Sequence, residues 1–176
     1  MLATITLIII PIFLVLLTLT AIVHIIFFVP YVPTQNRVAK KMIEVAGLKA
    51  QETVFDLGCG DGRLLMEAEK RTRVKAEGFE MAPLVYFLAL ARKFLFQSKV
   101  KIHFQNMFTA NLRKANVIFC YLIPNVMPRL AEKIKNECKR GTRIISNTFH
   151  IADLKPYRVF KKDPSKGLPT IYVYKI

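Results

Sequence analysis

Val54-Phe-Asp-Leu-Gly-Cys-Gly-Asp-Gly-Arg-Leu-Leu65 runs from an apolar stretch through a glycine cluster into a second apolar stretch. Thr53-Val-Phe-Asp-Leu57 has the β-branched and aromatic content of a short buried strand. Leu64, Leu65 and Ala68 recur at helical spacing, which predicts a helix from Asp61 to about Arg71. Gly58-Cys-Gly-Asp-Gly62 is the turn between them. Strand, glycine turn and helix N-terminus together make a cradle for a nucleotide-like ligand, because glycine lets the backbone approach closely and adopt positive φ.

The spacing and one acid narrow the ligand. A dinucleotide loop reads G-x-G-x-x-G and cups a pyrophosphate with its amides. Here the order is Asp56-x-Gly58-x-Gly60-x-Gly62. Asp56 would repel a pyrophosphate but suits a cationic ligand with an α-amino group, reached directly or through a water. S-adenosylmethionine carries that amine and a sulfonium. Glu80 ends the next predicted strand, Val74 to Phe79, about 24 residues after Asp56. An acid at that place grips ribose hydroxyls in nucleotide-binding βαβ units; Glu77 is its rival. Met81 follows and would lie against the adenine. Asn106, after the third strand, has a side-chain oxygen able to accept from the adenine amine. A lone glycine loop is also met in a generic βα turn. The candidate cofactor-binding set is therefore the whole constellation: Asp56, Gly58, Cys59, Gly60, Asp61, Gly62, Glu80, Met81, Asn106 and Met107.

The alternation continues outward. A helix is predicted from Pro83 to about Gln97, then a strand Val100–Phe104. Val117–Ile123 is a continuous apolar run, as in a strand covered on both faces. A helix from Val126 to Arg140, closed by Gly141, precedes a strand Thr142–Ser146. Such alternation predicts an α/β, Rossmann-like, doubly wound parallel sheet. Tyr157–Phe160 and Thr170–Tyr174 read as a hairpin around Asp163–Gly167 that adds an antiparallel edge.

Leu2–Val29 is apolar apart from Thr4, Thr18, Thr20 and His24, and the first 36 residues hold no Lys, Arg, Asp or Glu. At about 1.5 Å per residue, such a helix exceeds the roughly 30 Å hydrocarbon core and can span it with tilt. Pro11 would kink it, which a membrane helix tolerates. A cleaved signal peptide would want a basic start, a shorter apolar core and a small-residue cleavage site. The sequence favours an uncleaved single-pass transmembrane anchor. His24 reads as interfacial or packed. Residues 1–30 are expected to be the anchor and 31–176 the catalytic domain, with the bilayer a partner through residues 2–29. Arg37, Lys40 and Lys41 follow at once, so the positive-inside rule puts the domain on the cytoplasmic side. Pro30 and Pro33 bracket an extended linker. Thr34 is a candidate cap for a helix running to Ala46 and ended by Gly47.

The hydrophobic content of 53% is concentrated in the anchor, and the remaining residues, about 140, suffice for one core. The charge of +15 lies wholly beyond residue 36 and suggests an anionic partner: nucleic acid, a phosphate-bearing ligand or, most economically, an acidic leaflet, with a solvated lysine surface as the plainer alternative. Arg129, Lys133, Lys135, Lys139 and Arg140 make a basic helix face, either solvated or docked on anionic lipid or an acidic substrate. Cys59, Cys120 and Cys138 are too few and too scattered for a disulfide framework or a zinc site, and suit a reducing compartment. No His/Cys/Asp/Glu set has metal-ligand spacing, so no metal is expected.

The Asp56–Gly62 motif and the Gly78-x-Glu80 resemble class I, seven-β-strand methyltransferases over residues about 34–176. The resemblance implies seven strands with the last reversed, and cofactor at the strand C-terminal ends. A narrower likeness rests on the anchor, on Pro30-Tyr-Val-Pro-Thr-Gln35 and on Phe119-Cys-Tyr-Leu-Ile-Pro-Asn125. These resemble the membrane-associated lysine methyltransferases of the ATP synthase c subunit and the adenine nucleotide translocase, with their prokaryotic relatives. That family implies protein-lysine N-methylation of a membrane-protein substrate. Many methyltransferases of amines and nucleic-acid bases carry Asp/Asn-Pro-Pro-aromatic where this chain has Tyr121-Leu-Ile-Pro124, which disfavours a nucleic-acid substrate. Asn106 stands where many relatives have Asp.

The candidate catalytic residues are Tyr121, Pro124, Tyr31 and Thr34. Tyr121 and the carbonyls near Leu122-Ile123 would orient the amine, while Tyr31 and Thr34 would close the site from the anchor side. The plainer alternatives are a core aromatic for Tyr121, a helix start for Pro124 and a belt residue for Tyr31. His103 reads as a surface strand residue, and His150 lies just after a strand. A lipid or apolar small-molecule substrate, and a non-catalytic cofactor-binding membrane module, stay open beside the lysine reading.

Overall fold

The structure is a computed structural model that describes the backbone of residues 2–27 and 31–176. Pro30, the expected boundary at that residue and the side chain of His24 lie outside the described residues. Helix α1 (Leu2–Phe27) runs unbroken through Pro11. Its Thr6–Val23 segment, mean hydropathy 2.8, is long and apolar enough to cross a membrane. Most of its side chains face away from the rest of the protein, but Thr20 is buried.

Helix α2 (Asn36–Ala46) starts two residues after Thr34, so Thr34 is not its cap. Gln35 holds that place in extended conformation without a side-chain cap bond. The Thr34 carbonyl instead accepts from the Arg63 guanidinium at 3.4 Å, which draws the linker toward the glycine loop. Gly47 ends α2 in the left-handed region, as expected.

Strands β1 (Thr53–Leu57), β2 (Lys75–Glu80), β3 (Lys101–Phe104), β4 (Val117–Cys120) and β5 (Arg143–Asn147) are mutually parallel. Helices α3 (Arg63–Thr72), α4 (Pro83–Leu95) and α5 (Met127–Glu137) lie between them in the chain. With β6 (Arg158–Phe160) and β7 (Ile171–Lys175) the sheet has seven strands in the order β3-β2-β1-β4-β5-β7-β6. The last strand is antiparallel to both neighbours. The terminal hairpin adds the expected antiparallel edge, with β7 inside and β6 outermost. Ile171, Val173 and Tyr174 are buried while Arg158 and Val159 are exposed, so the strand with more apolar surface takes the covered place.

Period-two burial divides the core. Val54, Val117 and Phe119 pack with Met42 of α2 and Leu65 of α3 on one face. Phe55, Leu57, Ile118 and Cys120 pack with Leu130 and Ile134 of α5 on the other. Three of the boundaries that differ from expectation have a local cause. Gly62, at φ 74, caps α3 and delays it to Arg63. Cys138 turns extended and stops α5 short of Gly141. The apolar run leaves the sheet at Cys120, because Ile123 before Pro124 is held extended and Tyr121–Ile123 become a loop.

The register brings the tips of β1, β2 and β4 together, with Asp56 opposite Gly78 and Phe119, and Leu57 opposite Phe79 and Cys120. Helix α1 is tied to this end of the sheet. The Thr20 hydroxyl accepts from the Leu84 backbone N–H at 2.9 Å, capping α4 from another helix where Ala82 supplies no side-chain cap.

Candidate active site

One cavity opens at the strand C-terminal ends. The glycine loop forms its floor. The Gly58 and Cys59 N–H groups donate to the Phe79 carbonyl at 3.0 and 3.1 Å, fastening the loop to β2. Gly78 lies beneath: a Cβ there would come within 2.6 Å of Cys59 Sγ, so the close approach of loop and strand requires glycine. Cys59 is a packing residue of the loop, and burial, with the Asp56 charge, pushes its thiol well up.

Glu80 organises the rim. Its Oε2 accepts from Gly60 N–H at 3.0 Å, and its Oε1 accepts from the N–H groups of Met81 and Ala82 at 2.8 Å each. Its rival Glu77 faces a different groove and pairs with His103 at 2.8 Å. His103 stacks on Phe79, with centroids 5.1 Å apart.

Asp56 lines the cavity and is buried, yet among the described residues no donor bonds its carboxylate. Burial first, then the charges of Glu80 and Asp61, push its carboxyl up to about 8. Asp56 and Glu80 face one cavity with no ion pair among the described residues, and the lining Arg63 is taken up by Asp61, so the site fits a ligand that carries an amine and a sulfonium charge.

Asp61 sits differently. Arg63 grips its carboxylate at 2.7–3.0 Å, and Arg92 Nη2 reaches it at 3.0 Å. Burial would raise this carboxyl, but the Arg63 hydrogen bonds and both guanidinium charges outweigh it and hold it low. Its carboxylate thus braces the loop. Tyr31 lies over that brace, and burial followed by the Asp61 charge pushes its phenol up.

Met81, Asn106, Met107, Tyr31, Thr34 and Tyr121 line the same cavity. Asn106 Oδ1, expected to face the adenine, accepts from Phe108 N–H at 2.9 Å and caps the short 3-10 turn Met107–Thr109. Tyr121 stacks on Phe149 at 6.4 Å between centroids. Pro124 is not brought to the cavity: it is exposed and opens a 3-10 turn, Pro124–Val126, so its part is the backbone of Ile123. His150 is exposed against Tyr172 and Tyr174, outside the cavity. Cys120 and Cys138 are pushed up by burial to about 12 and 11, so neither is a thiolate at neutral pH. Among the described residues no group of three His, Cys, Asp or Glu could hold a metal.

Among the lining groups missed in the sequence are Phe149, Val23 and Arg63. Phe149 arrives from the loop after β5, and Val23 from α1. Neither position carries a local signal, because each arrives by topology. Arg63, within the opening stretch, had a readable clue: a cation two residues after Asp61.

The family model for the ANTKMT methyltransferase domain matches residues 56–158, from the acid of β1 to the start of β6. A protein-lysine N-methyltransferase of Saccharolobus islandicus is 36% identical over 151 residues, covering 84% of this chain and 94% of its own. The adenine nucleotide translocase lysine N-methyltransferase of Mus musculus is 26% identical, covering 84% and 63%. The lysine N-methyltransferase of Xenopus laevis named for the ATP synthase c subunit is 22% identical, covering 82% and 62%. The chain thus spans under two thirds of these last two. Among solved structures, an RNA methyltransferase from Salinibacter ruber bound to S-adenosyl-L-homocysteine superposes with TM-score 0.77 at 26% identity, covering 82% and 94%. On the match from Asp56 onward and the 36% identity to a full-length relative, the chain belongs to the ANTKMT methyltransferase-domain family and is an S-adenosylmethionine-dependent protein-lysine methyltransferase by descent.

Proposed function

We propose that the chain is a membrane-anchored enzyme that methylates a lysine of a membrane protein, with residues 1–30 as anchor and 31–176 as catalytic domain on the cytoplasmic side. One observation carries this reading: Val23 of α1 and Tyr31–Thr34 line the same cavity as Asp56, Gly60 and Tyr121. A lysine held at the bilayer surface therefore has a short path to the reacting position. Two relatives are named for an adenine nucleotide translocase and for the ATP synthase c subunit. Arg37, Lys40 and Lys41 directly after the anchor support the cytoplasmic side.

S-adenosylmethionine supplies an activated methyl group, so the protein's part is position and desolvation. Asp56 meets the cationic end of the cofactor, and Glu80, held by three backbone amides, turns its remaining lone pairs to the ribose. Met81 and Met107 flank the adenine, beside Asn106. Leu122, Phe149 and Val126 make the rest of the cavity apolar. A lysine entering it loses hydration, which lowers its pKa from about 10.4 and favours the neutral nucleophile. Tyr121 and the Leu122–Ile123 carbonyls accept from that amine and aim its lone pair. Tyr31 and Thr34 close the anchor side.

The Salinibacter ruber neighbour and the +15 charge favour a second reading, an RNA substrate. Tyr121-Leu-Ile-Pro124 in place of Asp/Asn-Pro-Pro-aromatic weighs against it. The test is incubation of the membrane-bound protein with methyl-labelled cofactor, host membranes and RNA. Label on a protein band, lost in Asp56→Ala, supports the proposal. Label in lipid or in RNA redirects the substrate assignment. Tight cofactor binding without transfer would make the chain a binding module.

A further inference from the structure

Helix α4 is unlike the other helices that cover the sheet. The outward residues of α2 are Asn36, Arg37, Lys40 and Glu44, and those of α5 include Arg129, Glu132 and Lys135. On α4 they are Phe87, Leu88, Ala91, Phe94 and Leu95, at i, i+1, i+4, i+7 and i+8, one continuous apolar stripe. Phe94 is 82% exposed and Leu95 76%. Phe96 beyond the helix end and Phe104 beside Tyr86 extend the patch. Val85 and Ala89 on the other side are buried, so the helix already has its core contacts and this face is surplus to the fold.

Two further observations say what covers it. The helix that carries the patch packs on α1, whose Thr20 hydroxyl caps the α4 N-terminus. Its far end is basic: Phe96 and Lys99 share a groove with Lys40, Lys70 and Lys101. The acids in that groove are engaged, Glu67 with Arg71, Glu69 with Ser98, and Glu77 with His103 and, at 4.0 Å, with Lys101.

We propose that α4 lies in the plane of the bilayer, its aromatic stripe in the headgroup boundary of an anionic leaflet and its basic end on the lipid phosphates. This contact rests on the reading of α1 as a membrane helix and adds a second point of attachment. It fixes the rotation of the domain about α1, so that the cavity between Val23, Met81 and Tyr121 faces the membrane surface. A second copy of the chain fits less well, because pairing this face with itself would bring two lysine clusters together, whereas anionic lipid neutralises them.

The chain contains no tryptophan, so one introduced indole is the only one and is excited selectively beyond the absorption of its tyrosines. Full-length Phe94→Trp, Ile9→Trp and Lys135→Trp proteins are reconstituted into vesicles of brominated phosphatidylcholine with phosphatidylglycerol. Leu95→Trp stands in if Phe94→Trp does not fold. The expected result is strong quenching at positions 9 and 94 and none at 135, with quenching at 94 reduced when phosphatidylglycerol is left out. Quenching at 9 but not at 94 overturns the proposal while leaving the anchor intact. A blue-shifted, unquenched indole at 94 means a protein covers the face, which also overturns it. Equal quenching at 94 in neutral vesicles refutes the anionic contact. An unquenched indole at 9 removes the anchor reading itself.

Discussion

The ring of Tyr31 rests on Gly60: a Cβ at Gly60, where φ is +57, would lie 2.9 Å from Cε2 of that ring. The segment that follows the apolar helix is therefore in contact with the glycine loop. Gly60→Ala is expected to destabilise the protein by about 1–2 kcal/mol for the left-handed conformation alone. The steric part should fall away when Tyr31→Ala is added. A denaturant-unfolding cycle over the two single variants and the double variant checks this; strict additivity would mean that the ring does not press on the loop.

Asp56 is expected to make cofactor binding pH-dependent. Its carboxyl is raised from 3.8 to about 8 by burial and by Glu80 and Asp61. The stability this group lends the ligand-free fold is complete below its ordinary value and is lost as pH rises through about 8. Stability of the ligand-free protein should therefore decline between these limits, and Asp56→Asn should flatten the slope. A cationic ligand favours the carboxylate, so binding below about pH 8 should release a proton. Calorimetry in buffers of different ionisation enthalpy measures that release. Proton uptake, or none, would exclude Asp56 as the partner of the cation.

Glu80→Ala removes the acceptor of three backbone N–H groups. Cofactor affinity should weaken by about 1–3 kcal/mol, the range for a lost charged hydrogen bond. Glu77→Ala breaks the pairs with His103 and Lys101, away from the cavity, and should leave affinity unchanged. Titration calorimetry on both variants distinguishes the two acids.

Thr20→Val leaves the Leu84 N–H without its acceptor. Lost capping costs about 0.5–2 kcal/mol. The measurable outcome is faster hydrogen exchange at the Leu84 amide in micelles, with Thr20→Ser restoring protection. Unchanged exchange would mean that α1 and α4 are not joined at this point.

What the sequence revealed follows the range of the forces involved. Residues 53–80 were legible because strand, loop and helix are contiguous and each has its own periodicity, so Asp56 and Glu80 fell at strand ends, and Gly60 in the turn, by counting. The inward place of β7 depended on comparing apolar surface between two short strands, which turn signals do not report. Pro124 stood in the right motif, but motif order says nothing of which way a ring points. Thr34 had the residue type of a cap while its carbonyl was taken by Arg63, a partner 29 positions away. Thr20 and Phe149 reached their positions only through packing. The α4 stripe had ordinary helical spacing, and only its exposure separated it from a core face.

Peptide mass spectrometry of the membrane proteins from cells with the wild-type chain and cells with Asp56→Ala tests the central claim most directly. The account predicts methylated lysine on a membrane protein, at a position near the bilayer surface, present with the wild type and absent with the variant. Lysine methylation that is identical in the two, with label from the cofactor found instead in lipid or RNA, would contradict it.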